Sequence, residues 1–232
     1  MPSPKERIGS IAFAVVCLLA MTAAVASAQQ TTGSVNMSGT VSNYVELNSG
    51  GAVTLSGNSG GSVTTDGTVD TPLAVVVDLG ELGPSNSNSF VKLSVPLKLR
   101  SNVSYQLKMS GSVAGAGATI YSLKTTDVGF GMTPSARPAN LASGTDTNAT
   151  PGDPTVGGST DVNGRWVFAG ANSTLGDFSS AAAVLTGPRI NKTVPKVNST
   201  GLVVPAIFAV KPQFYDPAPA ITINANFTIS AP

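Results

Sequence analysis

VKLSVPLKLRSNVSYQLKM, residues 91–109, alternates apolar and polar side chains with a period of two, pauses at Ser101-Asn102, and resumes. Val91, Leu93, Val95, Leu97 and Leu99 fall on one face, and Lys92, Ser94, Pro96, Lys98 and Arg100 fall on the other. A period of two is the signature of a strand with one face in a core and one in water. Val103, Tyr105, Leu107 and Met109 repeat the pattern, so the stretch reads as a β-hairpin with Lys98 and Arg100 in solvent. Pro96 has no N–H to give a ladder, which predicts an edge strand or a local bulge at that point.

Working outward, Ile221, Ile223, Ala225, Phe227 and Ile229 alternate with polar residues almost to the end of the chain. Val35, Met37, Gly39 and Val41 do the same near its start, and Tyr44 to Leu47 extends that pattern. Pro72 to Leu79 holds a continuous apolar run, expected of a strand buried on both faces. Further strands are expected at Val53–Leu55, Ser62–Val69, Ala118–Leu123, Arg165–Ala169, Ala182–Ile190 and Gly201–Val210, with a short helix only at Phe178–Leu185. Short strands separated by Gly, Asn, Asp and Pro clusters predict an all-β, antiparallel β-sandwich, Ig-like or jelly-roll-like. Thr133 to Gly164 is rich in Pro and Gly and poor in apolar residues, and reads as one long, exposed, irregular loop.

Lys5 and Arg7 precede an apolar run from Ile11 to Val25 that ends in Ala26-Ser27-Ala28, the three parts of a secretory signal peptide. Residues 1–28 are therefore expected to be removed, leaving 29–232 as a single domain with no transmembrane segment, in the periplasm, on the cell surface or outside the cell. Cys17, the only cysteine, leaves with the signal. Of 13 basic and 12 acidic residues, Lys5, Arg7 and Glu6 go too, so 13 − 2 = 11 meets 12 − 1 = 11. A neutral domain has no field to draw in nucleic acid.

The chain has no histidine, which excludes imidazole-based catalytic triads and imidazole metal sites. Carboxylate pairs are the remaining route to hydrolysis, but Glu46 and Glu81 sit in turn-like surroundings and nothing marks a pair. No enzyme activity, catalytic residue, metal site or cofactor is expected. Asp161-Val162-Asn163-Gly164 opens like a calcium loop but continues into Arg165-Trp166-Val167-Phe168, so a turn is the simpler reading. Asp146, Asn148 and Asp153 leave an irregular oxygen-ligand site open in the same loop. Asn-x-Ser/Thr triplets begin at Asn36, Asn102, Asn148, Asn172, Asn191, Asn198 and Asn226, glycan acceptors only in a eukaryotic pathway. Trp166 is read first as a core residue and second as an exposed recognition residue.

The alternating stretch Val35-Asn36-Met37-Ser38-Gly39-Thr40-Val41 behind a signal peptide, and the strand from Ile221 to Pro232 that closes the chain, resemble bacterial fimbrial and related surface β-sandwich subunits. That resemblance implies a non-enzymatic structural or adhesive protein that works by self-association or by contacts with other surface proteins. It also implies an N-terminal strand that completes a neighbour's sheet. The chain departs from such subunits in lacking a disulfide and a near-terminal aromatic. The other class left open is a stand-alone extracellular module binding carbohydrate, peptide or calcium.

Overall fold

The computed structural model describes residues 37–57, 60–84, 89–195, 200–218 and 220–232. The chain divides into two units, Met1–Val41 and Ser42–Pro232. In the first, the described residues 37–41 form no strand and are exposed, with Met37 and Val41 more than nine-tenths in solvent. Val35, Asn36 and the signal-peptide residues lie outside the described residues.

The second unit is nearly all β, with thirteen strands among the described residues: β1 (Val45–Ser49), β2 (Thr54–Ser56), β3 (Gly60–Thr65), β4 (Val76–Gly80), β5 (Val91–Ser101), β6 (Tyr105–Ala114), β7 (Val128–Met132), β8 (Thr147–Asn148), β9 (Ser159–Thr160), β10 (Trp166–Val167), β11 (Ala182–Gly187), β12 (Leu202–Val210) and β13 (Thr222–Ser230). One sheet runs β1-β5-β12-β7 with β2 also on β5, the other runs β13-β6-β11-β8, and all pairings are antiparallel. β3–β4 and β9–β10 are separate two-stranded ribbons. Among the described residues no helix is long and apolar enough to cross a membrane.

The expected β-hairpin is not formed: residues 91–109 give β5 and β6, which do not pair with each other and belong to different sheets, so the turn between them is an arch from one layer to the other. Leu97 and Leu99 of β5 and Leu107 and Met109 of β6 are fully buried and share one core, so the arch closes the sandwich at that end, and core burial rather than a shared ladder joins the two strands. A set of phenylalanines bridges the layers: Phe130 lies 5.4 Å from Phe178, 5.3 Å from Phe208 and 6.2 Å from Phe227, measured between ring centres.

Three sequence expectations about β5 and its neighbours change. β5 is central, not an edge: β12 pairs with it on one side and β1 and β2 on the other. Pro96 faces Pro205 of β12, a pair that fits a ladder only as a non-hydrogen-bonded position, since neither ring nitrogen can donate. On β5's other side the pairing lapses between Ser49 opposite Leu97 and Thr54 opposite Ser94, which is the local irregularity that Pro96 predicts.

The second change concerns Lys98 and Arg100, which are 4% and 2% exposed rather than in water. Residues near Pro72 lie along the free edge of β1, with a bridge from Asn48 to Pro72 and a Ser49 N–H to Thr71 O bond of 2.9 Å. That placement brings Asp70, in the left-handed conformation at φ 68°, to 2.5 Å from Arg100 Nη2 and 3.2 Å from Lys98 Nζ. Arg100 also reaches Glu46 Oε2 at 3.2 Å and donates from Nε to Thr200 O. Gly201 lies over the Lys98 stem, where a Cβ would come within 2.8 Å of Cε. A lysine or arginine can alternate as if solvent-facing and still be covered, when oppositely charged chain folds over it.

The third is the Leu73–Val77 run, which is not a strand buried on both faces: β4 begins only at Val76, itself 57% exposed. Smaller differences follow elsewhere. The short helix is a 3-10 turn at Leu175–Phe178, and the chain from Ala182 is strand β11. Residues 118–123 form turns. Residues 133–164 are irregular apart from β8 and β9, but they are not a free excursion: Leu141 and Thr150 are buried, and Arg137 binds Asp146 at 2.5 Å.

Candidate functional site: an open apolar groove along the last strand

β13 has nine residues, pairs with β6 on one edge along its whole length, and has no partner strand on the other edge among the described residues. Its inward side chains Ile223, Ala225, Phe227 and Ile229 are only partly buried, whereas the partners of the last three on β6, Gly111, Met109 and Leu107, are buried; Val113, opposite Ile223, is half-buried too. Alternation alone does not separate the two strands. The difference is what lies over them.

Over β13 lies a groove of about 1310 Å³. Ile223, Phe227 and Ile229 line it from β13, Leu93 and Phe208 from the opposite sheet, and Val77 and Leu79 from β4. β4 and β13 thus both face the groove without pairing with each other. Leu73, Val75 and Leu82, flanking β4, also border it, which explains why that apolar run is only half covered. Pockets for drug-sized ligands occupy roughly 300–1,000 Å³. This groove is larger, and an unpaired strand edge with its row of N–H and C=O groups runs beside it.

The charged residues among the groove's lining are Asp78, Glu81 and Asp216, and none is basic. Asp78 accepts a bond from Gly80 N–H, and Asp216 accepts from the Thr119 hydroxyl. Nearby, burial pushes the Tyr215 hydroxyl well above its ordinary pKa, with the Asp127 charge adding to the effect, so it stays protonated and donates to Lys211 O at 3.1 Å. The groove offers apolar contact, three carboxylates in its lining and the backbone groups of the adjoining strand edge.

The residues singled out in the sequence for other chemistry are dispersed. Asp161 accepts from Asn163 N–H at 2.8 Å and Arg165 N–H at 2.9 Å, with Gly164 at φ 78°, which is the tight turn its sequence suggests. Those amide bonds hold its carboxyl below the usual range. Asp146 is taken by Arg137 and by the Tyr105 hydroxyl, whose pKa is raised by burial and by that carboxylate. Asn148 ties Met132 O and Thr150 O together, and Asp153 pairs with Lys92 at 2.7 Å. Among the described residues no three His, Cys, Asp or Glu side chains gather as a metal site.

Trp166 is partly buried, edge-on to Phe90 at 5.6 Å, with its backbone N–H donating to Gln213 Oε1 and Lys211 Nζ 5.9 Å from its ring centre. It anchors the β9–β10 ribbon. Tyr105 is buried and Tyr215 partly so, while Tyr44 and Tyr121 are exposed.

No protein-family model matches this chain, and no curated protein matches it, so geometry alone carries the functional reading. The groove itself escaped the sequence reading. Its inward residues look like ordinary core, and the one clue, a strand paired on one edge only among the described residues, shows only when the pairing is known.

Proposed function

We propose that this chain is an exported structural or adhesive subunit of a cell surface, working by protein contacts, whose groove receives an extended polypeptide alongside β13. The observation that carries the reading is the nine-residue edge of β13, unpaired among the described residues, beside an apolar trough in the sandwich. A strand laid there gains main-chain hydrogen bonds from the edge and apolar burial from alternate side chains, the two parts of β-strand addition. The basic, apolar and small-residue stretches of residues 1–28 support export, and the neutral charge of the remainder suits assembly by shape and burial rather than by charge.

A carbohydrate-binding module has less behind it, because Trp166 is packed against Phe90 and Tyr105 is in the core. The test is the native mass of the secreted protein. A ladder of multiples is expected, and a strictly monomeric protein that binds no polypeptide would sink the proposal.

A further inference from the structure

The groove leaves its occupant to be named. Resting on the strand-acceptor reading above, we infer that the strand laid against β13 is β13 of a second copy of this chain. The two run antiparallel about a twofold axis through Asn226, so that two sandwiches share one continuous sheet.

The edges of the two main sheets select that partner. Beyond β7 the side is taken by loops, with Phe130 N–H donating to Ser173 O at 2.8 Å and Met132 N–H to Pro151 O at 2.9 Å. Beyond β1 lie Thr71 and Pro72. β2 and β8 have only three and two residues. Among the described residues β13 is therefore the one long edge of these sheets still open, and a second copy has no other of its length to offer. Nor is that edge guarded. Sheets ordinarily protect an edge with a lysine, a proline or a bulge. Thr222–Ser230 holds no charged residue, no proline and no shift of register against β6.

The strand is also complementary to itself. Thr-Ile-Asn-Ala-Asn-Phe-Thr-Ile-Ser reads nearly alike in both directions from Asn226. With Asn226 on the axis, all nine residues of each strand find a partner in the antiparallel sense, the more stable pairing. Directly opposed residues share a face, so on the groove side Ile223 meets Ile229 of the second copy and Ala225 meets its Phe227. The bulkiest side chain of the row thus lies beside the smallest, twice in each pair. On the other face Asn224, Asn226 and Thr228 are exposed, and amides and hydroxyls meet amides and hydroxyls. A twofold axis brings every charge near it toward its like, and here there is none to repel. One patch serves both copies, an isologous contact that closes at two. The dimer is the first rung of the mass ladder, and heavier species use another surface.

The test is cross-linking at the axis in the secreted chain. Cys17 is the only cysteine of the sequence, so a cysteine placed in β13 of a Cys17→Ser chain is the only thiol whatever is cleaved. Opposed Cα atoms of an antiparallel pair lie about 4.5–5.5 Å apart, within reach of a disulfide. Asn226→Cys, exposed and facing its own copy, should be trapped as a covalent dimer by diamide, two thiols giving up two electrons and two protons to that oxidant. Asn224→Cys and Thr228→Cys each lie about 14 Å from themselves across the axis and should stay uncrosslinked alone, yet join when mixed before oxidation. Asn226→Lys restores a guarding lysine and should lose the dimer with its near-ultraviolet circular dichroism unchanged; the cross-links report on the pairing even if this variant fails to fold. A wild-type dimer that Asn226→Cys does not trap and Asn226→Lys does not disperse overturns the inference. The acceptor reading then stands if Ile223→Asp abolishes that dimer, and falls too if it does not. Cross-links from Asn224→Cys or Thr228→Cys alone, without any from Asn226→Cys, overturn the pairing about Asn226. A wild-type chain that stays monomeric at every concentration also overturns the inference, while its binding of a peptide of residues 221–231 would keep the acceptor reading.

Discussion

β5 and β13 are both long strands with strict apolar alternation, yet one is finished and the other is not. β5 has partners on both edges and, around Leu97 to Arg100, cover on both faces, to the point that Lys98 and Arg100 on its outer side are buried against Asp70 and Glu46. β13 has one partner strand among the described residues, and its apolar row opens onto a groove. Alternation says which side chains share a face. Whether that face is covered depends on segments far away in the chain.

The same chemical change should therefore have very different effects on the two strands. Leu97→Asp buries an unpaired charge in the complete part of the core and should cost about 5 kcal/mol, enough to unfold an ordinary domain. Ile223→Asp, facing the groove, should cost the monomer roughly 1–2 kcal/mol and abolish association. Urea unfolding of the two variants checks this, and equal losses would show that the groove is closed in solution.

Arg100→Ala comes next. It takes the guanidinium away from Glu46 and from Asp70, which keeps Lys98, in a covered site and should destabilise by about 3 kcal/mol. The sequence alone assigns Arg100 to water, where the change would be nearly neutral, so thermal melting of this variant separates the two descriptions of β5's outer face.

A finer contrast is available within one sheet, where Leu107 and Ile229 are direct partners. Leu107→Ala should cost about 2–5 kcal/mol, the range for a buried leucine, and Ile229→Ala about 1 kcal/mol in the monomer. In the assembled form the two losses should converge, because an added strand would cover Ile229.

The smallest effect concerns Asp153. Burial alone would raise its pKa, but bonds from Lys92 and Thr155 outweigh that and hold it below the usual value of 3.8. Its contribution is therefore present above about pH 4 and fades as the pH falls through the lowered folded value. The pair is about a third exposed, so Asp153→Asn should change stability by less than roughly 0.5 kcal/mol at neutral pH, and by progressively less as the solution is acidified. A pH-resolved melting series would show it.

Much of the sandwich was legible from period two: β5, β6, β12 and β13 fall where alternation puts them, and β1, β2 and β11 lie within a residue or a few of expectation. What was not legible depends on tertiary cover. Lys98 and Arg100 carry the pattern of a wet face, and only the distant Asp70 makes that face dry. The Leu73–Val77 run has the composition of a doubly buried strand, but it borders an open groove. Pro96 correctly marks an interruption, yet not an edge, because Pro205 opposite it needs no N–H either. In residues 133–164 the composition predicts irregular chain, while the Arg137–Asp146 pair that pins it comes from two positions with no local pattern.

The central claim is that the free edge of β13 is an unfilled place for a strand, and amide hydrogen exchange across residues 222–230 tests it most directly. In the monomer, the alternate amides that do not bond β6 should exchange rapidly while those facing β6 are slow. In the assembled protein both sets should be slow. Uniform, strong protection along β13 in the monomer, unchanged on assembly, would contradict the account.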